Sequence, residues 1–248
     1  MRVLILRPEE ETAASAEIAR RFGFEPVAAP AISVIRLEAD VTAIRTAVGD
    51  SCATVFMSRR SVLLLRELCS FRGRLARIPA IAVGDTTAAE LRRMMVEPEV
   101  PARHSSEGVA SHILSVHREC RAVTVFRSSS GNNLLRKRLA EGGIAVHEIP
   151  LYEIVPVRGS RTLEYAIRAI VAGEKFVVPF TSSMVVRSVF YAAASAGMED
   201  RFRSGLEGCT VISIGEETSK ELRRRGVKFT ESPVTDFEGM LREASERL

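Results

Sequence analysis

The sequence predicts two similar three-layer α/β domains with parallel sheets, joined by a two-stranded β linker. Three observations carry this expectation. The stretch Val83-Gly84-Asp85-Thr86-Thr87-Ala88-Ala89-Glu90-Leu91-Arg92-Arg93 returns 131 residues later as Ile214-Gly215-Glu216-Glu217-Thr218-Ser219-Lys220-Glu221-Leu222-Arg223-Arg224, with six of eleven positions identical. A separation of about half the chain suggests a repeated domain rather than a short stacked array. Residues 2–37 also align without gaps on 122–157, matching Val3 with Val123, Arg7 with Arg127, Gly23 with Gly143 and Pro30 with Pro150. These matches fall where a strand, a helix or a turn changes, positions at which backbone geometry selects the residue. Finally, short apolar runs alternate with amphipathic segments, the pattern of β-α units around a parallel sheet.

The order of the copies sets the expected domains. The first segment of the 2–37 type is N-terminal, but its twin lies in mid-chain, after the first Val-Gly-Asp-Thr-Thr element. A complete set closes only if residues 1–30 join 158–248, leaving 38–150 as the other domain. The crossings, 31–37 and 151–157, alternate in polarity and are β-prone, as a ladder linker requires.

Strands are expected at 2–6, 53–57, 79–83, 122–126, 176–180 and 210–214, with shorter ones near 25–28, 96–99, 145–148 and 227–230. Helices are expected at 9–22, 59–70, 86–95, 106–118, 132–141, 161–172, 183–195, 216–225 and 235–246. Pro8 followed by Glu9, Glu10 and Glu11 is a helix start, with carboxylates on the positive end of the dipole. Gly23 and Gly143 are placed to stop helices in left-handed geometry. Pro179 argues for a strand end or an edge.

The 248 residues are 46% hydrophobic and 27% charged, ordinary for a globular protein. No apolar run is long enough to span a bilayer, and Met1-Arg2-Val3-Leu4-Ile5-Leu6-Arg7-Pro8-Glu9 reads as a strand rather than a signal peptide. Cys52, Cys69, Cys120 and Cys209 show no Cys-x-x-Cys spacing, so neither a disulfide framework nor a zinc site is expected, which fits a reducing cytoplasm. The net charge of +4 favours an anionic small molecule over nucleic acid. Arg59-Arg60 and Arg223-Arg224-Arg225 read as solvated helix faces and C-terminal turns. With no tryptophan, stacking on single strands is not expected. Neither a heptad nor an exposed apolar strand appears, and a monomer is expected.

In parallel sheets, ligands bind beyond the C-terminal strand ends, at helix starts. The loops there contain Arg7, Ser58, Gly84, Thr86, Thr87, Arg127, Ser128, Thr181, Ser182, Ser183, Gly215 and Thr218. They carry glycine, hydroxyl and arginine groups suited to carboxylates or phosphates, and six such loops are expected to face one cleft. The same hydroxyls also serve as helix N-caps. No P-loop, Gly-x-Gly-x-x-Gly or Gly-x-Ser-x-Gly element is present. His112 and His117 lie five apart on an expected helix, a spacing that does not put two ligands on one face, so no metal is expected. An enzyme so equipped acts mainly by holding and folding its substrate.

The chain resembles the uroporphyrinogen-III synthases over nearly its whole length. The carriers are Val3-Leu4-Ile5-Leu6-Arg7-Pro8, Phe56-Met57-Ser58, Phe180-Thr181-Ser182-Ser183, Val83-Gly84 and Ile214-Gly215 with their following threonines, Leu151-Tyr152, and the closing stretch from Ser232 to Met240. The resemblance implies two flavodoxin-like or Rossmann-like domains with an active site in the cleft between them and no cofactor. It implies that hydroxymethylbilane, handed over from hydroxymethylbilane synthase, is closed to uroporphyrinogen III with ring D inverted and water lost, for haem or sirohaem synthesis. It makes Tyr152 the group assisting departure of the hydroxyl. Thr87, Thr218, Ser58, Thr181 and Ser182 become carboxylate binders, with Arg7 and Arg127 as further anchors. Glu216 and Glu217 depart from the family's pattern, as do Arg59 and Arg60. Two rivals stand beside this reading. A non-catalytic tetrapyrrole or anion binder would keep its affinity in Tyr152→Phe, and a nucleic-acid-associated regulator would lose binding steeply with salt.

Overall fold

The structure is a computed structural model that describes residues 1–68 and 78–247. Cys69 and the end of the helix expected at 59–70 lie outside the described residues. The chain divides into two compact units, Met1–Val34 with Val155–Leu248, and Ile35–Ile154.

The first unit opens with β1 (Arg2–Ile5), α1 (Glu9–Arg21) and β2 (Glu25–Ala28). It resumes after the mid-chain unit with α7 (Arg161–Val171), β8 (Phe176–Phe180), α8 (Ser183–Ser195), α9 (Glu199–Gly205), β9 (Thr210–Ser213), α10 (Glu216–Arg224), β10 (Thr230–Glu231) and α11 (Phe237–Ser245). Its sheet runs β10-β9-β8-β1-β2, all parallel. Val3, Val177 and Ile212 from the strands pack on Ala19 of α1 and on Phe237, Met240, Leu241 and Ala244 of α11.

The mid-chain unit begins in β3 (Ile32–Arg36), followed by α2 (Val41–Gly49), β4 (Ala53–Phe56), α3 (Arg59–Glu67), β5 (Ala80–Ala82), α4 (Asp85–Arg93), α5 (Ser106–Val116), β6 (Ala122–Ser128), α6 (Leu134–Glu141) and β7 (Ala145–Pro156). The sheet order is β3-β7-β6-β4-β5, and a parallel bridge from Glu99 to Ile81 extends the β5 edge. Alternation splits the strands: Ala53, Val55, Ile81, Val123 and Val125 face Val109, Ala110 and Ile113 of α5 and Leu135 and Leu139 of α6. Counted from β8 through β9, β10, β1 and β2 in one unit, and from β4 through β5, the Glu99 bridge, β6 and β7 in the other, the order reads third-second-first-fourth-fifth in both, with β3 added beyond β7 in the second. The two sheets share one topology, as the repeated segments require.

The glycine stops behave alike in both copies. Gly23 (φ +76°) and Gly143 (φ +77°) are left-handed, and the next amide, of Phe24 or Ile144, returns to the carbonyl of Ala19 or Leu139.

Several expectations need correction. The helices Val41–Gly49 and Glu199–Gly205 were not anticipated. The former is rich in β-branched residues, which read as strand; the Asp40 carboxylate, accepting from the amides of Thr42 and Ala43, is its start signal. The strand expected near 96–99 is the single Glu99 bridge, and that near 227–230 shrinks to Thr230–Glu231. Pro150 begins no turn: β7 runs through it, and a bulge places Arg127 opposite Pro150 but Ser128 opposite Tyr152. Pro179 lies in a central strand, not at an edge. Phe180 points its carbonyl at Ile214, so Pro179, one residue earlier, points toward β1, where pairing has stopped at Val177. The ladder to β1 thus ends where a Pro179 N–H would have continued it. The cysteine reading is also overturned, because Cys52 and Cys120 form a disulfide with Cα atoms 5.7 Å apart. They are 68 residues apart in sequence, yet they precede the neighbouring strands β4 and β6.

The chain passes between the units within β3 and β7. The Leu37 amide donates to Leu151 and the Val157 amide to Ala31, so the two segments run antiparallel.

Candidate functional site

Parallel pairing carries the strand ends of each unit to one sheet edge. In the mid-chain unit, Phe56 is in register with both Ala82 and Phe126, which brings together the turns that follow them. Ser58, Gly84, Thr86, Thr87, Arg127, Ser128 and Tyr152 all belong to this edge.

Tyr152 lies on β7, next to the outermost strand of the sheet. The bulge inserts one residue into β7 and so flips the alternation from there on. The Tyr152 ring is 5% exposed, and its hydroxyl donates to Ser58 Oγ at 2.9 Å. Ser58 is the N-cap of α3 and accepts from the Ser61 amide at 3.1 Å. The Arg60 guanidinium lies 5.9 Å from the Tyr152 ring centroid. A phenol is thus tied to a helix N-terminus, with a cation over its face.

Gly84 and Gly215 are N-caps of α4 and α10 without a side-chain acceptor, so the first-turn amides keep their capacity to bind an anion. Thr87 and Thr218, at 2% and 3% exposure, are buried and donate their amides to the carbonyls of Gly84 and Gly215. Thr86 is exposed. The groups open at these turns are therefore backbone amides more than threonine hydroxyls. A Cβ on Gly84 would stand 3.1 Å from the His104 ring, whereas one on Gly215 would meet only Thr235, at 3.7 Å.

In the first unit, Arg7, Thr181, Ser182, Ser183, Gly215 and Thr218 follow strand ends. Ser182 caps α8, accepting from Val185 at 3.2 Å, with Thr181 and Ser183 half-buried beside it. Arg7 pairs with Glu11, donates to Ser15 at 3.1 Å and stands over the Phe237 ring. Arg127 is more confined. Its guanidinium donates to Glu148 and to the Asn132 carbonyl, each at 2.6 Å, and to the Ser128 carbonyl. A Cβ on Gly131 would collide with it. Arg127 therefore holds the loop after β6 in shape, while the Ser128 hydroxyl accepts from the Ser130 amide.

The family departures have local partners. Glu216 and Glu217 are exposed and share Lys220, at 3.1 and 2.8 Å. Arg59 joins Arg66 and Arg93 around Glu90, which is almost fully buried. Burial pushes the Glu90 carboxyl up, but the hydrogen bonds from Arg59 and Arg93 outweigh it and hold the group below its usual value.

One cluster was missed, and it corrects the reading of the histidine spacing. The Nε2 atoms of His112 and His117 lie 2.6 and 2.9 Å from the same Glu99 oxygen. His117 is the C-cap of α5, with φ −107° and ψ 52°, so it has left the helical ladder and helical spacing does not apply. Burial raises the Glu99 carboxyl, and the bonds from His112 and then His117 bring it below its usual value. The signal available in sequence was a histidine at a helix end; its partner, 18 residues away, was not legible.

Residues 13–242 match the family described as Uroporphyrinogen-III synthase HemD. Proteins named "Putative uroporphyrinogen-III synthase" are similar along almost their full length. The one from Archaeoglobus fulgidus is 28% identical over 97% of this chain and 96% of its own; the one from Methanocaldococcus jannaschii is 22% identical over the same shares. Among solved structures, a mutant uroporphyrinogen III synthase from the extremely thermophilic bacterium Thermus thermophilus is 18% identical, with a TM-score of 0.70 over 100% of this chain and 99% of that one. Uroporphyrinogen-III synthetase from Helicobacter pylori is also 18% identical, with a TM-score of 0.62 over both full chains. These two likenesses bear on the fold, two α/β domains with mainly parallel sheets. With a match that spans all but the ends of the sequence, the chain belongs to the uroporphyrinogen-III synthase family.

Proposed function

We propose that the protein is a cyclising lyase that converts hydroxymethylbilane to uroporphyrinogen III, and that Tyr152 is its proton donor. The observation that carries this reading is the family match over residues 13–242. The geometry around Tyr152 supports the assigned role. Loss of the substrate's terminal hydroxyl as water requires one proton, and a phenol can supply it without first carrying charge. The Ser58 bond aims the Tyr152 hydroxyl, and the Arg60 guanidinium stands over its ring.

The azafulvene-like cation that remains is attacked by the substituted carbon of ring D. The resulting spiro intermediate breaks its other bond to that ring and closes again with the ring inverted, releasing a proton. No step needs a redox partner. The protein's contribution is the substrate's conformation, held through the acetate and propionate carboxylates. Gly215 suits this work: its backbone is extended and the protein itself leaves room for a Cβ there, so glycine keeps the α10 amides open to a carboxylate. Gly84, Ser58, Ser182 and Thr181 are assigned as further carboxylate contacts, Thr87 and Thr218 as the residues that shape two of the turns, and Arg127 as a loop-positioning residue.

The test compares rates of type III formation by wild type and Tyr152→Phe on hydroxymethylbilane generated in situ. The variant is expected to be slower by on the order of 100-fold, with a stability loss of about 1 kcal/mol for the Ser58 bond. Equal rates would remove Tyr152 from the chemistry; no type III from either protein would remove the activity.

A further inference from the structure

We propose that Glu99, His112 and His117 form a binding site for a divalent transition-metal ion of the zinc type, which ties the C-terminal end of α5 to the β5 edge. Nothing in the cyclisation chemistry calls for these residues, and they stand apart from the turns that follow the strands.

Three features support a built site. The ligand atoms converge: one oxygen of Glu99 and the two Nε2 atoms all lie within 4.8 Å of one another. Tetrahedral zinc with bonds of about 2.0–2.2 Å separates its ligands by roughly 3.3–3.5 Å, so admitting the ion asks the two Nε2 atoms to draw back from their 2.6 and 2.9 Å contacts with the Glu99 oxygen. The backbone under each ligand is also fixed. Glu99 is locked to β5 by its amide to Ala80 and its carbonyl from Ala82, at 2.8 and 2.9 Å. His112 sits on α5, and His117 is pinned by its amide to Ile113 and its carbonyl from Cys120, each at 2.9 Å. Finally, the exposure is intermediate: side chains of His112, His117 and Glu99 are 21%, 16% and 35% exposed. That leaves an entry path and a place for water as a fourth ligand.

The donor set selects the ion. Two imidazoles and one carboxylate suit zinc and its first-row neighbours better than calcium or magnesium, which take oxygen ligands. The step is a proton rearrangement. In the arrangement described, each Nε2–H donates to Glu99; on binding, a neutral ring moves that proton to Nδ1, an imidazolium loses it to solvent, and the freed lone pair goes to the metal.

The experiment uses the full chain after chelation and dialysis, with Cys69 and Cys209 replaced by serine so that neither position can supply sulfur to the metal. Zinc chloride is titrated against a chromophoric chelator, and cobalt chloride supplies an optical readout. One equivalent should bind with a Kd of about 1 µM or tighter. Cobalt should give d–d bands without a thiolate charge-transfer band. His112→Gln/His117→Gln should weaken zinc by at least about 100-fold, since even outer-shell losses cost roughly 10–100-fold. Glu99→Gln keeps a polar acceptor for the rings and so guards against a folding artefact; it too should weaken binding, with circular dichroism unchanged. Wild-type binding no tighter than that of either folded variant would overturn the site, as would cobalt bands that survive in the double variant.

Discussion

At Gly215 the sequence offered a repeated glycine before a helix, which is equally the mark of a plain N-cap. A serine at this position tells that reading from the proposed ligand contact. Ser58 and Ser182, the serine N-caps, hold φ −165° and −168°, and Gly215 lies close by at φ 164°, extended backbone open to any residue. Serine there would cap α10 with its own Oγ and put a side chain where the substrate carboxylate is proposed to sit. Gly215→Ser is therefore expected to hold or raise stability by about a few tenths of a kcal/mol, while raising KM about tenfold, a loss of about 1.4 kcal/mol of binding. Thermal unfolding and steady-state kinetics on one preparation check both halves; an unchanged KM would make Gly215 a cap and nothing more. The role proposed for Tyr152 comes only from family resemblance, and the bulge before it leaves no mark in the sequence. The hydrogen bonds of Arg127 to Glu148 and Asn132 were likewise out of reach, since they depend on how the loop folds back.

Among the elements, long periodic segments were legible and short ones were not. Strands such as β6 and helices such as α8 announce themselves by apolar runs and period. The Glu99 bridge carries too few residues for any pattern, and α2 is β-branched, so its fate is decided by burial of Ile44, Ala47 and Val48. The repeat gives one element-scale prediction. After α10, Gly226 is left-handed at φ +69°, and the Val227 amide returns to Leu222. After α4 the same turn is made by Met95, at φ +59°, with Val96 returning to Leu91. Left-handed backbone costs a non-glycine residue about 1–2 kcal/mol, part of which glycine gives back through its unfolded-state freedom. Met95 is 83% exposed and loses little packing. Met95→Gly should stabilise the protein by about 0.5–1 kcal/mol, read by denaturant midpoint; a lower midpoint would mean that the Met95 side chain contributes more than the turn does.

For the molecule as a whole, the repeated segments foretold a shared fold, and the sheets bear it out: each unit orders its strands third-second-first-fourth-fifth, with β1 and β6, and β2 and β7, in matching places. What the repeat could not foretell is where the copies diverge. His104 packs over Gly84 but has no counterpart over Gly215, and the His112–His117–Glu99 cluster exists in one copy alone among the described residues. Such differences follow from residues outside the stretches that the repeat aligns. The proposed activity stands or falls on the regiochemistry of ring closure. The direct measurement supplies hydroxymethylbilane generated in situ, oxidises the product and separates the uroporphyrin isomers. Predominantly type III is expected with the protein and type I without it. Type I at the spontaneous rate in both would refute the proposal.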